Sequence, residues 1–198
     1  MLPKLPFTLV NAFASTPHGG NPASVVLFPA GDPRDNEGYM SAIARDFNLS
    51  ETVFLTPLSA GPEPHYAIRW FSPTVEVPLC GHGTLAAATA LLRLHASADA
   101  FRFTTRTRGD VIARPEERGR VPRIALDFPI LPATILEDSS VVQEVARIAG
   151  FDVKDVVRTA QFGDFSVIVE VGAHVDIGAS ALKVDGSRFV GAFSEDKH

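Results

Sequence analysis

The sequence predicts a strand-rich α+β chain in two units, residues 1–131 and 132–198. Three observations carry this. Short alternating apolar runs, bounded by Gly, Pro, Asn and Ser, recur from residue 7 to residue 128. Within that span two segments place apolar residues at helical spacing. The run Phe128-Pro129-Ile130-Leu131-Pro132 then reads as a linker, and a smaller set of elements follows it.

Residues 7–13 alternate as a strand, with Phe7, Leu9, Asn11 and Phe13 on one face and Thr8, Val10 and Ala12 on the other. The stretch 15–22, Ser-Thr-Pro-His-Gly-Gly-Asn-Pro, is a dense turn signal, and 23–27 is a second strand. A loop over 32–37 leads to a short amphipathic helix over 39–47, with Met40, Ile43, Ala44 and Phe47 on one side. Asn48-Leu49-Ser50-Glu51 closes that helix, and 52–55 is a strand. After a Pro/Gly/Ser-rich loop over 57–64, 66–71 alternates again. Residues 75–79 lead into Cys80-Gly81-His82-Gly83-Thr84. Alanine and leucine fill a helix over 85–94, with Thr84 placed to cap it. Strands are expected over 101–105, 109–114 and 123–128. The second unit holds a helix over 139–149 stopped by Gly150, strands over 156–161 and 165–171, and a polar end at 194–198. At about 65 residues it is small for an independent domain.

Hydrophobic residues at 45% and charged residues at 21% supply an ordinary core and surface. A net charge of -5 and a pI near 5.6 exclude general electrostatic attraction to nucleic acid or anionic lipid. Cys80 is the single cysteine, so no intramolecular disulfide can form and a reducing compartment is expected. Pro3 and Pro6 interrupt the start where a signal peptide needs an unbroken apolar run, and the longest mostly apolar stretch, 85–92, is too short to span a bilayer. The expectation is a soluble cytoplasmic protein that binds neither membrane nor nucleic acid. Without a signal, the sequon at Asn48 is read as chance.

Among residues that carry chemistry, Glu51 stands at a helix-to-strand junction before an apolar strand. Held against apolar walls, it would lose water and its pKa would rise into the range useful for proton transfer. Position alone serves equally for a solvated or helix-capping glutamate. Gly81-His82-Gly83-Thr84 before a helix suits an anion pocket, because glycines allow close approach and the helix start favours negative charge. It serves also as an ordinary turn with a Thr cap. The pattern is too short for a dinucleotide fingerprint, and no lysine follows as a phosphate-binding loop requires. Cys80 adjoins the same helix start, where a thiolate would be stabilised; a small buried thiol is the alternative. His82 suits substrate binding, acid/base work or a hydrogen bond within the turn. His18, His65, His95, His174 and His198 have no metal-ligand spacing, so no metal site is expected. Trp70 reads as core.

Several segments in this order resemble the PhzF family, the phenazine biosynthesis-like proteins related to diaminopimelate epimerase. They are Phe7 to Phe13, Gly20-Asn21-Pro22-Ala23, Met40 to Phe47 followed by Asn48-Leu49-Ser50-Glu51-Thr52, Ile68 to Pro73, and Glu76 to Thr84. The resemblance implies a diaminopimelate epimerase-like fold: two similar, barrel-like, strand-rich domains, each around a central helix, with the active site between them. It implies no metal, flavin or nicotinamide, a small carboxylate-bearing substrate, and a homodimer. It implies that Glu51 transfers the proton, that Asn21 and Ser50 lie beside it, and that the turn Gly81, His82, Gly83 and Thr84 faces substrate. Cys80 occupies the place of a proton-transfer base in the related epimerases, though the position varies within the family.

The second domain of such proteins carries an acidic-Asp-Pro-x-Thr-Gly-Ser segment and a last strand that returns to the first domain. Neither is found between Leu131 and His198. The sequence therefore resembles a C-terminally shortened member with an incomplete second domain. Two expectations follow: a cofactor-independent isomerase acting by acid/base proton transfer, or a catalytically silent chain serving as an interaction or small-molecule-binding module.

Overall fold

The computed structural model describes residues 4–14, 16, 19–117, 123–130, 132–162 and 166–176. These fall in two compact units that divide between Pro129 and Ile130. In the first, strands β1 (Phe7–Ala12), β2 (Asn21–Leu27), β3 (Glu51–Ser59), β4 (His65–Phe71), β5 (Glu76–Val77), β6 (Phe101–Thr104), β7 (Asp110–Glu117) and β8 (Arg123–Asp127) form one sheet. Its order is β1-β2-β3-β4-β6-β7-β8, with β5 also paired to β4. Two neighbouring pairs, β2/β3 and β4/β6, are parallel, and the others are antiparallel.

A parallel pair needs a crossover connection, and each crossover here carries a helix. Helix α1 (Glu37–Phe47) joins β2 to β3, and α2 (Gly81–Leu92) lies between β4 and β6. Period-2 alternation sends the strands' side chains to two different cores. Val25, Val53, Leu55, Ile68 and Trp70 pack with α2, while Val26, Phe54 and Phe71 pack with Met40 and Ala44 of α1. Alanines 86, 87, 88 and 90 are buried on several sides of α2, which β1, β2, β3, β7 and β8 all touch. A helix apolar all round must be enclosed. The sheet curls about it as a half-barrel, the mixed α+β architecture with a central helix that the sequence led us to expect.

Local signals set how the chain enters β3. Asn36 accepts the Tyr39 N–H and starts α1 at Glu37, two residues before the expected start. Asn48 takes a left-handed conformation at φ 51° and donates its N–H to the Ala44 carbonyl, ending the helix. Glu51 is then the first residue of β3.

Several expected boundaries move. The first strand stops at Ala12 because Phe13 turns to φ 59°. β3 runs through Pro57 to Ser59 instead of ending at Leu55, with its register slipping at the proline, where no ladder N–H exists. α2 begins at Gly81, so the expected glycine turn is the helix's own first turn. Thr84 is therefore not a cap. Its hydroxyl donates to the Cys80 carbonyl at 2.6 Å, and its N–H bonds the same oxygen at 3.1 Å.

The second unit contains β9 (Ala133–Ile135), α3 (Ser139–Ala149), a single 3-10 turn at Val153–Asp155, β10 (Val156–Phe162) and β11 (Ser166–Val171). The three strands form an antiparallel sheet in the order β11-β10-β9. Asp138 caps α3, and Gly150 ends it at φ 76°. β9 has no counterpart in the sequence reading: its three residues are all exposed and give no alternation. Residues 15, 17 and 18 of the expected turn, residue 131 of the linker, residue 165 and the polar end 194–198 lie outside the described residues.

At Gly83 the helix lies directly against buried side chains of the sheet. A Cβ there would lie 2.8 Å from Trp70 Cδ1 and 3.1 Å from Val53 Cγ2, both on fully buried side chains. Overpacking costs about 1–3 kcal/mol, against a gain of about 1 kcal/mol at most from helix propensity. Gly83→Ala is therefore expected to lose on the order of 1 kcal/mol, read as a lower urea midpoint at unchanged slope.

Candidate active site

The parallel register places Ala23 opposite Glu51, so Asn21 and Pro22 lie beside Ser50. Gly20 makes this approach possible. It sits at φ 88°, and a Cβ there would collide with the Ala12 carbonyl oxygen and crowd the Ala14 nitrogen. The Asn11 amide also donates to the Gly19 carbonyl, fixing the loop that returns to β2. Ser50 Oγ donates to Asn21 Oδ1 at 2.8 Å and lies 3.3 Å from the Pro22 carbonyl oxygen.

The start of α2 reaches the same place from β4. β5 pairs with β4 at Trp70↔Val77 and Phe71↔Glu76. The Arg69 guanidinium donates to both Glu76 carboxylate oxygens, each at 2.7 Å. This clamp lies four residues before Cys80. From there His82 Nε2 comes within 3.3 Å of Ser50 Oγ, and His82 Nδ1 within 3.3 Å of Cys80 Sγ. Asn21, Ser50, Cys80 and His82, read separately along the sequence, thus form one continuous chain of polar contacts next to Glu51.

Glu51 is 8% exposed, and its Oε2 is buried without a hydrogen-bond partner. Burial pushes its pKa from the usual carboxylate range to about 7. Of the two readings of Cys80, the sheltered thiol fits and the stabilised thiolate does not. Burial first, then the neighbouring Glu51 carboxylate, raise the thiol to about 12, outweighing the His82 and Gly83 N–H groups that lower it. Burial lowers the pKa of His82. At neutral pH the cysteine and histidine are therefore uncharged, and Glu51 is the group poised to exchange a proton.

The expected substrate-facing turn divides in two. Gly81 is exposed and His82 half-buried. Gly83 and Thr84 are buried, one against Trp70 and the other bonded to its own helix, so they seat α2. The Pro22 carbonyl was not foreseen, since a backbone oxygen leaves no mark in a sequence. Trp70 is core, as expected, although its Nε1 lacks a partner. Among the described residues no three His, Cys, Asp or Glu side chains converge on a metal-sized space, and no helix is long and apolar enough to cross a membrane.

The fold thus holds a buried carboxylate, without a partner at Oε2, at the start of a strand of the curled sheet. The family described as phenazine biosynthesis-like protein, PhzC-PhzF, matches residues 10–185. The chain belongs to this PhzF family. It is 36% identical over 150 residues to phenazine biosynthesis-like domain-containing protein 2 of Mus musculus, covering 74% of this chain and 49% of that one. With an uncharacterised isomerase of Pseudomonas aeruginosa it shares 43% identity over 121 residues, covering 61% of this chain and 42% of that protein. A PhzF-family crystal structure from Enterococcus faecalis superposes with a TM-score of 0.61 at 31% identity, covering 86% of this chain and 58% of that one. A Pseudomonas aeruginosa structure described as a predicted epimerase shares the fold at a TM-score of 0.67 and 22% identity, covering 84% and 59%. The chain spans about half the length of the curated relatives it matches.

The Glu51 pKa has a consequence for stability. Its folded value, about 7, lies above the ordinary carboxylate value of 4.5, so the native state binds the proton more tightly than the unfolded chain does. No cost arises below the lower value; it grows as pH rises between the two and is complete above about 7. By linkage it amounts to on the order of 3 kcal/mol. Glu51→Gln cannot ionise. It is expected to be more stable than the wild type by roughly 2 kcal/mol at pH 8 and equal to it near pH 4.5, as read by chemical denaturation at both pH values.

Proposed function

We propose that the chain carries the proton-transferring half of a cofactor-independent isomerase acting on a small carboxylate-bearing metabolite. The observation that carries this is the Glu51 carboxylate, buried, without a partner at Oε2, and titrating near neutrality. Family membership supports the same reading.

In its ionised form Glu51 takes a proton from a carbon next to an electron-withdrawing group. The C–H bond breaks, an O–H bond forms on Glu51, and the electron pair moves into the adjoining group. Donors and the positive end of the dipole at the α2 N-terminus stabilise that charge. Glu51 then returns the proton to a different carbon of the same delocalised system. A group with a pKa near the working pH serves both steps, since neither of its forms is scarce.

Incubation of candidate carboxylic acids with the protein in D2O tests this. Deuterium is expected in the carbon-bound position of a substrate, at a rate that rises with pH through about 7 as Glu51 ionises. Glu51→Gln is expected to lose roughly 10²–10⁴-fold, the usual weight of a positioned acid/base group. Full exchange by Glu51→Gln would remove the glutamate from the mechanism. A ligand bound by the wild type without any exchange would favour the small-molecule-binding alternative.

A further inference from the structure

Around Glu51 the polar contacts have a direction, and it can be worked out from hydrogen-bond inventory alone. Ser50 has one hydroxyl hydrogen. Its partners on the β2 side, Asn21 Oδ1 at 2.8 Å and the Pro22 carbonyl at 3.3 Å, are both acceptors. The hydrogen goes to them. Ser50 Oγ can then meet His82 Nε2, 3.3 Å away, only by accepting. A ring that donates from Nε2 and is uncharged has a bare Nδ1, and the atom facing Nδ1 at 3.3 Å is Cys80 Sγ. The thiol has the one hydrogen that Nδ1 requires.

We infer that Cys80 is a positioning residue whose S–H, donated to Nδ1, sets the hydrogen of the His82 ring on Nε2. The inference rests on the isomerase reading for its purpose, since the Nε2–H that Ser50 Oγ accepts here is the donor a substrate carboxylate would take over. Burial keeps both members in the required forms at neutral pH: it raises the thiol to about 12 and lowers the imidazole. The Cys80 side chain makes no capping bond to the start of α2, and its sulfur faces the ring at 3.3 Å from Nδ1. Asn21, with Oδ1 occupied, is left with its NH2 group as a second uncharged donor beside His82. Recognition of an anion by neutral donors leaves Glu51 as the single group that changes charge, and a fixed cation does not pull its pKa back down.

Two-bond 1H–15N correlation spectra of 15N-histidine-labelled protein at pH 7 read the tautomer directly, with the His82 signals assigned by their loss in His82→Gln. The wild type is expected to show a single Nε2–H tautomer. Cys80→Val keeps the bulk and removes the donor, so an average with the Nδ1–H form is expected. Cys80→Ser restores a donor and is expected to restore the wild-type pattern. An Nδ1–H ring or an imidazolium in the wild type overturns the inference without any variant, and so does a Cys80→Val spectrum unchanged from it. Failure of deuterium exchange in a protein with the Nε2–H pattern would overturn the isomerase reading and leave this assignment standing.

Discussion

A helix sided mostly with alanine can be approached from several directions at once, and the first unit is organised around that property of α2. Strands β1, β2, β3, β7 and β8 all touch it, which only small side chains permit at ordinary packing distances. Gly83 sits so close to Trp70 and Val53 that no Cβ fits between them without a shift. From this seating follow the curl of the sheet, the depth of the α2 N-terminus, and the position of Cys80 and His82 at the edge of the core. The α1 side is a separate layer. It determines where β3 starts, because Asn48 turns the chain directly into it.

The candidate site is assembled where two requirements conflict. Parallel pairing of β2 and β3 brings Ser50 to Asn21, and the same pairing carries Glu51 into the shelter of the sheet. A carboxylate there is costly, since burial without a partner penalises its charged form. The surroundings do not relieve this with a cation. They place uncharged donors next to it and leave Oε2 bare. On the proposed reading, the stability given up at neutral pH is exchanged for a proton carrier matched to it, a trade common at functional sites.

Much of this was legible in the sequence and some was not, for definable reasons. α3 is read from residue to residue because Gly150 and the period of its apolar side are local signals. Cys80 and His82 were marked by their place before a helix and Asn21 and Ser50 through the family resemblance, and the four do lie together. What stayed hidden depends on partners distant in sequence. The desolvation of Glu51 is created by elements on both sides of it, so its position admitted a solvated glutamate equally well. Thr84 looked like a cap, yet helical hydrogen bonding already starts at Cys80 and leaves its hydroxyl no capping role. The dipole that favours a thiolate at Cys80 was visible, but the burial that overrides it was not. β9 gave no pattern because none of its residues is buried.

The two parallel crossovers also bear on how the molecule reaches its native state. Asn21 and Ser50 are separated by the whole of α1, and Ser50 and Cys80 by β3, β4 and β5, so no single hairpin contains the site. It forms only when both distant strand pairings are made and α2 is seated between them, and contacts of such long sequence separation form slowly. A partly folded chain with either crossover undone would leave Glu51 in water with an ordinary pKa. The unusual affinity of that carboxyl for its proton is therefore a late-forming property, acquired when the first unit closes.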